Sequence, residues 1–338
     1  MMAEEQEDDE IFVYMGGDQV VPDDVRRVRI DKSVKIIIER AFEHRQHLID
    51  VEFHDGIKTI GNWAFHCCRS LRSVKLLGVR VIKLGAFASC SGLADVEDVE
   101  FGDKLETIEG RAFQHCTSLR SLTMPSVRNI GLLAFNNCEK LTDLEFGEEL
   151  ETIKRHAMCS CLSLRRITIP LKDDLIEDDV FYSCPNLATV NLVGGIHNAT
   201  ASLHLEEWRN EMKGEINRIN QVLPDTVAQE KTPVIQQWMR SFIRQFDHYK
   251  NEHKALLKEA TSLLELALWK AKIEKNEEDA LGDVITKKAK IDVQSKRSES
   301  RITSEANSII KNFKRSENRI TSGANIVIKN VLPFLELK

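Results

Sequence analysis

Ile60-Gly-Asn-Trp-Ala64-Phe65-His-Cys-Cys68-Arg-Ser-Leu71-Arg-Ser-Val74-Lys-Leu76 decides the fold, because the chain says it again and again. The phrase reduces to Ile-x-x-x-Ala-Phe-x-x-Cys-x-x-Leu-x-x-Val-x-Leu. It returns from Ile82, Ile108, Ile130, Ile153 and Ile176, and an earlier copy starts at Ile37. Its alanine slot holds Ala41, Ala64, Ala86, Ala112, Ala134, Ala157 and Val180, in steps of 23, 22, 26, 22, 23 and 23 residues. A period in the twenties is the mark of a solenoid, in which one unit buries its apolar face only by stacking on the next.

Within a unit, Leu71-Arg-Ser-Val74-Lys-Leu76 alternates as a short strand does, with Val74 and Leu76 on one side and Lys75 on the other. Such strands line up as a parallel sheet, one rung per repeat. Ile60 and Ala64-Phe65 fit a helical turn or tight coil on the opposite wall. Each repeat buries five or six apolar side chains, at about 1.5–3 kcal/mol apiece before ordering entropy is subtracted. A lone repeat would not fold.

The phrase resembles the BspA-like leucine-rich repeats over about residues 25–192. That resemblance implies an α/β solenoid with a parallel sheet on one face. Departures are few: Arg45 stands in the first Cys slot, Met158 in a Phe slot and Val180 in an Ala slot. About three extra residues at 97–100 read as a bulge at the end of one strand. Phe101-Gly-Asp-Lys-Leu105-Glu-Thr-Ile108 returns as Phe146-Gly-Glu-Glu-Leu150-Glu-Thr-Ile153, which suggests growth by duplication of repeat pairs.

The expected organisation has five parts. Residues 1–10 form an acidic disordered start. Residues 11–33 form an N-terminal cap, with Ile11–Met15, Gly16-Gly17 and Val20-Val21 as a hairpin and Val25–Ile30 as a first rung. The seven-repeat solenoid covers 34–195, a helical hairpin 202–275, and a basic, partly disordered tail 276–338. In the hairpin, Leu205, Trp208, Met212, Ile216, Ile219 and Leu223 step by threes and fours. Pro224-Asp225 ends that helix. Thr232-Pro233 then offers an N-cap with Pro at the first helical position. A second seam runs from Ile235 through Trp238, Phe242, Phe246, Tyr249, His253, Leu256, Ala260 and Leu263 to Trp269. This hairpin either caps the last repeat or recruits a second chain, and the cap, hence a monomer, is favoured. In the tail Arg297–Ser304 recurs as Arg315–Ser322, an 18-residue tandem copy, followed by an apolar stretch from Ile326 to Leu335.

Charge is unevenly placed: residues 1–198 carry 23 Lys+Arg against 33 Asp+Glu, and residues 280–338 carry 12 against 6. The outward strand positions alternate in sign. Arg26, Arg27 and Arg29 are followed by Asp50 and Glu52, then Arg72 and Lys75, then Asp95 and Glu97. Arg120 comes next, then Asp143 and Glu145, then Arg165 and Arg166. Strands sit about 4.8 Å apart, so these residues form either a self-compensated ladder or a polar docking face for a protein. The alternation leaves no basic stripe for nucleic acid. Lys287, Lys288 and Lys290 have the form of a short basic import segment.

Six of the eight cysteines, Cys68, Cys90, Cys116, Cys138, Cys161 and Cys184, share one slot and read as reduced core packing. Cys67-Cys68 and Cys159-x-Cys161 are poor metal spacings. No metal, cofactor or catalytic centre is expected. The acidic start lacks an apolar signal segment and no stretch is long enough to span a membrane, so an intracellular, cytoplasmic protein is expected, with nuclear entry as an alternative. The leading expectation is a non-enzymatic protein-interaction scaffold. The alternatives are a secreted or surface adhesin, as some proteins that the family resemblance brings in are, and a nuclear regulator acting through the basic tail.

Overall fold

The computed structural model describes residues 11–93, 99–193 and 206–287. The expected disordered start, the duplicated tail and import residues Lys288 and Lys290 lie outside them, as do Asp95 and Glu97. The chain divides into two units, Met1–Phe246 and Asp247–Lys338.

The first unit is a parallel β-solenoid followed by helices. One long wall is built from β1 (Ile11–Tyr14), β2 (Arg27–Ile30), β4 (Asp50–Glu52), β6 (Val74–Leu76), β8 (Val99–Phe101), β10 (Ser121–Met124), β12 (Asp143–Phe146), β14 (Arg166–Ile169) and β15 (Thr189–Leu192). The second wall is a ladder of two-residue strands: β3 (Ile36–Ile37), β5 (Thr59–Ile60), β7 (Val81–Ile82), β9 (Thr107–Ile108), β11 (Asn129–Ile130) and β13 (Thr152–Ile153). Every hydrogen-bonded strand pair in the two walls is parallel, and β4 meets β6 through a parallel bridge at Asp50 and Ser73.

Between the walls the Ala-Phe segment forms a tight coil, the second of the two forms that the spacing allowed. Each coil turns on two left-handed residues four apart, such as Trp63 (φ 55°) and Cys67 (φ 60°) or Leu133 (φ 58°) and Asn137 (φ 57°). The turn aims the Phe N–H at the next coil: Phe65 donates to Ala86 O at 2.7 Å and Phe113 to Ala134 O at 2.8 Å. The Phe rings follow suit. Phe42, Phe65, Phe87, Phe113 and Phe135 stack in series with centroids 4.8–5.4 Å apart. Tyr14 closes the stack at its N-terminal end, 4.9 Å from Phe42.

The cysteine slot has a physical reason that its burial alone did not reveal. Each thiol donates to the Phe-slot carbonyl one coil back: Cys68 to Phe42 O at 3.0 Å, Cys116 to Phe87 O at 3.1 Å, Cys184 to Met158 O at 3.0 Å. A small apolar side chain with one weak donor fits that place. Burial pushes Cys116 up to about 12 and holds Cys90, Cys138 and Cys161 well above the ordinary thiol value. These cysteines stay protonated and inert. In the first coil, Arg45 occupies the slot and serves the N-terminal end instead. Its guanidinium donates to Val21 O at 3.0 Å and meets Asp23 at 3.0 Å.

Two expectations need correction. Ile11–Tyr14 is no hairpin arm: β1 runs parallel to β2, with Ile11 opposite Arg27 and Tyr14 opposite Ile30. Gly16 and Gly17 do adopt positive φ, 81° and 63°. However, the dozen residues between the strands make a full coil, which a parallel connection requires. The rung of the fourth coil lies at Val99–Phe101, overlapping the residues that the spacing assigned to a bulge after the strand. The strand is β8, with Glu100 opposite Lys75 and Phe101 opposite Leu76. A close approach fixes that register, since a Cβ at Gly102 would lie 2.1 Å from Leu77 O, as one at Gly147 would lie 1.8 Å from Pro125 O.

Two helices follow, α1 (Glu206–Val222) and α2 (Lys231–Lys287), joined through a 3₁₀ turn at Leu223–Asp225. Trp238 Nε1 donates to Glu215 O at 3.2 Å, so the helices fold back on one another. They meet every wall of the last coil. Asn220 takes both backbone groups of Val190 in β15, accepting from its N–H at 2.8 Å and donating to its C=O at 3.3 Å. Gln236 donates to Ile176 O at 2.8 Å on the short wall. The N–H of Phe181, which in every earlier coil finds the next alanine-slot carbonyl, finds Thr232 Oγ1 at 2.9 Å. The helix begins at Lys231 rather than after Thr232, and that hydroxyl serves the solenoid, not the helix.

Lys231 is fully buried and donates to Pro185 O at 2.9 Å, Leu223 O at 2.9 Å and Leu187 O. Desolvation lowers its pKa, and the three carbonyls compensate the charge. Met212, Ile219, Leu223, Ile235, Trp238 and Phe242 are buried. In the second unit α2 continues to Lys287, beyond the expected end near 275. There Tyr249 is buried, whereas Leu256, Leu264, Leu266 and Trp269 are exposed.

Candidate binding face

The outward positions of the long wall present a dense set of charged side chains on one surface, so the candidate site is built from them. Strand pairing sorts them into rows. One row reads Arg29 and Glu52, then Lys75 and Glu100, then Thr123, Glu145, Thr168 and Asn191. Another reads Arg27, Asp50 and Ser73, then Ser121, Asp143, Arg166 and Thr189.

Opposite charges meet along these rows. Arg29 Nε reaches Glu52 at 2.5 Å, Lys75 Nζ reaches Glu100 at 3.9 Å and Arg166 Nη1 reaches Asp143 at 3.5 Å. The Arg29 hydrogen bond holds the Glu52 carboxyl below its usual value. Ser73 adds a hydrogen bond to Asp50 at 3.4 Å. These groups are half-exposed, so each pair contributes about 0–1 kcal/mol. Glu145 has Thr neighbours on both sides, and the alternation fades toward the C-terminal coils.

Arg72, Arg120 and Arg165 are not strand positions. They stand one step before the rungs, in an entry row with Arg26, Ile49, Thr142 and Ala188. Backbone bonds tie that row together: Arg72 N to Ile49 O at 3.0 Å, Thr142 N to Arg120 O at 2.6 Å, Arg165 N to Thr142 O at 2.8 Å. No acidic residue belongs to it among the described positions. Counted per repeat along the chain, the three rows merge into one alternation, because spacing alone does not separate strand from turn.

At the N-terminal end of this row lies a cleft of about 590 Å³, lined by Asp24, Arg26, His47, Ile49, Arg69, Ser70, Arg72 and Gly92. Arg69, Arg72 and His47 are exposed there. Three guanidiniums and an imidazole against one carboxylate make the cleft a polar, cationic notch in an otherwise balanced face. His47 and Arg69 carried no periodic signal, since they belong to the variable turn before each rung. No helix among the described residues is long and apolar enough to cross a membrane.

The family comparison agrees with the repeat geometry. The family model of the BspA type leucine-rich repeat region matches residues 23–98 and 94–203 in six copies, together more than half of the chain. Among solved structures, a leucine-rich repeat protein of T. pallidum is 27% identical over 47% of this chain and 73% of its own, with a TM-score of 0.39. One from Bacteroides ovatus is 24% identical over 50% of this chain and 55% of its own, with a TM-score of 0.34. A leucine-rich cell surface protein of Faecalibacterium prausnitzii is 22% identical over 49% and 66%, with a TM-score of 0.25. No curated protein matches the sequence. With its repeat slots, its parallel walls and this family match in accord, the chain belongs to the BspA-type leucine-rich repeat proteins.

Proposed function

We propose that the chain is a non-enzymatic protein-interaction scaffold that binds an acidic segment of another protein through its long strand wall. The observation that carries this reading is the entry row of arginines and the cleft at its end, where cations outnumber carboxylates. An extended solenoid wall is a rigid platform whose side chains keep their spacing on binding, which lowers the ordering cost. Acidic rungs at Asp50, Glu52 and Glu100 border the arginines. They would repel a nucleic-acid backbone, and they set the register of a partner of mixed charge. The same reading makes the chain a monomer, since α1 and the start of α2 cover its last coil. An intracellular site is proposed with it, because the slot thiols are structural in reduced form.

Charge reversal tests the reading. The full chain is used to capture partners, and the same partner is then measured against Arg69→Glu/Arg72→Glu and against Lys83→Glu, an exposed change just after the short wall. The expected result is a loss of at least about tenfold for the double variant, the scale of 1.4 kcal/mol or more, with no loss for Lys83→Glu. Equal retention by all three would remove the cleft from the account.

A further inference from the structure

The two turn residues that follow Ala-Phe occupy fixed places in every coil. In the first two coils they are Glu43-His44 and His66-Cys67, one pair stacked on the other, with His44 N donating to His66 O at 2.8 Å. From this arrangement we propose a zinc-class metal site formed by His44, His66 and Cys67, with Glu43 as the residue that orients His66.

The donor atoms of the three residues lie within 4.8 Å of one another. Cys67 Sγ is 3.3 Å from His66 Nε2. Tetrahedral zinc, with bonds near 2.3 Å to sulfur and 2.0–2.1 Å to nitrogen, places its ligands about 3.3–3.6 Å apart. The Cys67–His66 pair is therefore already at coordination spacing. His44 is exposed, and its ring, 5.2 Å from that of His66, closes the remaining gap by side-chain rotation.

The support behind His66 is of the kind that metal ligands use. Its Nδ1 lies 3.1 Å from Glu43 Oε1, which keeps the proton on Nδ1 and turns the Nε2 lone pair toward Cys67. Arg40 lies 3.6 Å from the other Glu43 oxygen, and Trp63 packs edge-on against the ring at 5.0 Å. Cys67 differs from the six slot cysteines: it donates to no carbonyl of the previous coil, and its sulfur faces the histidine. One soft thiolate, two imidazoles and one open position suit Zn²⁺ or Co²⁺ better than Mg²⁺ or Ca²⁺. Further along, the same four places in the coils of Phe113 and Phe135 hold Gln114-His115 and Asn136-Asn137, which hydrogen-bond to one another instead, Gln114 Nε2 to Asn136 Oδ1 and Asn137 Nδ2 to His115 Nδ1. The donor set is particular to the first two coils.

No Cys-x-x-Cys or His-x-x-x-His spacing announces this site, because its ligands come from successive coils 22 and 23 residues apart. The repeat itself supplies substitutions that the fold tolerates. The place of Cys67, with its positive φ, is held by Ser89, Ser160 and Ser183 elsewhere, and that of His44 by Asn137. Cys67→Ser and His44→Asn therefore remove ligands without asking the backbone for anything new.

The test titrates the chelator-stripped full chain with Co²⁺, reading the thiolate-to-cobalt charge-transfer band, and then displaces the cobalt with Zn²⁺. One equivalent is expected to bind with a thiolate band. The band should be lost in Cys67→Ser, binding should weaken at least about tenfold in His44→Asn and in Glu43→Gln, and Cys159→Ser should leave both unchanged. Melting curves of the metal-free variants are expected to match the parent. A parent chain that shows no thiolate band, or a band that survives Cys67→Ser, overturns the site.

Discussion

Phe113→Ala is expected to destabilise the solenoid by roughly 3–5 kcal/mol, the range for a large buried aromatic cut to a methyl. The ring is fully buried and lies between Phe87 at 5.3 Å and Phe135 at 5.4 Å, with Phe101 edge-on at 5.8 Å. Its loss breaks the stack in the middle, where coils on both sides depend on it. Lys75→Ala removes only a half-exposed pair with Glu100 and should cost under about 0.5 kcal/mol. Denaturant melts of the two variants give the comparison. Equal shifts would mean that the inward and outward slots have been exchanged.

Ending the chain after Gly195 is expected to have a larger effect still. It would strip Asn220 from Val190, Gln236 from Ile176, Thr232 from Phe181 and Lys231 from Pro185 and Leu187. It would also bare the apolar layer under Met212, Ile219, Ile235 and Phe242, each contributing about 1.5–3 kcal/mol when fully buried. An open β15 with unpaired backbone groups invites edge pairing. The truncated solenoid should therefore melt lower and aggregate. Lys231→Met in the full chain is a milder version: the buried Leu187 carbonyl loses its donor, at about 1–3 kcal/mol where water cannot replace it, while Leu223 O keeps the Thr226 N–H and Pro185 O can turn to water. A truncated chain that stays soluble with an unchanged melting point would show that the helices are an appendage and not an end cap.

What the sequence made legible, and what it hid, follows from which residues repeat. Ile60, Ala64, Phe65, Cys68 and Leu71 face inward in every coil, so their spacing announced the solenoid and its core without any need for contacts. Residues that act once leave no such trace. Thr232, Asn220 and Lys231 close the last coil by imitating the backbone groups that a further repeat would have offered, and none of them stands on the apolar seam that marked the helices. Arg45 does the corresponding work at the other end and looked only like a missing cysteine.

The fourth rung was misplaced because Asp95 and Glu97 fitted the outward alternation, although the Phe101-Gly and Phe146-Gly echo already contained the correct register. The charged face was legible residue by residue but not row by row. Arg72 and Lys75 seem equivalent when counted outward along the chain, yet one belongs to the strand-entry turn beside the cleft and the other to a paired rung. His44, His66 and Cys67 were hidden for a related reason: a solenoid makes neighbours of residues one period apart, and a search for short motifs does not look there.

The central claim is that the long strand wall is the binding surface, and amide hydrogen exchange of the full chain, free and bound to its captured partner, tests it most directly. Protection on binding is predicted in β2, β4 and β6 and in the turns carrying His47, Arg69 and Arg72, with the β3 to β13 ladder and the Ala-Phe coils unchanged. Protection confined to that ladder, or to α2 beyond Tyr249, with the long wall exchanging as it does in the free chain, would contradict it.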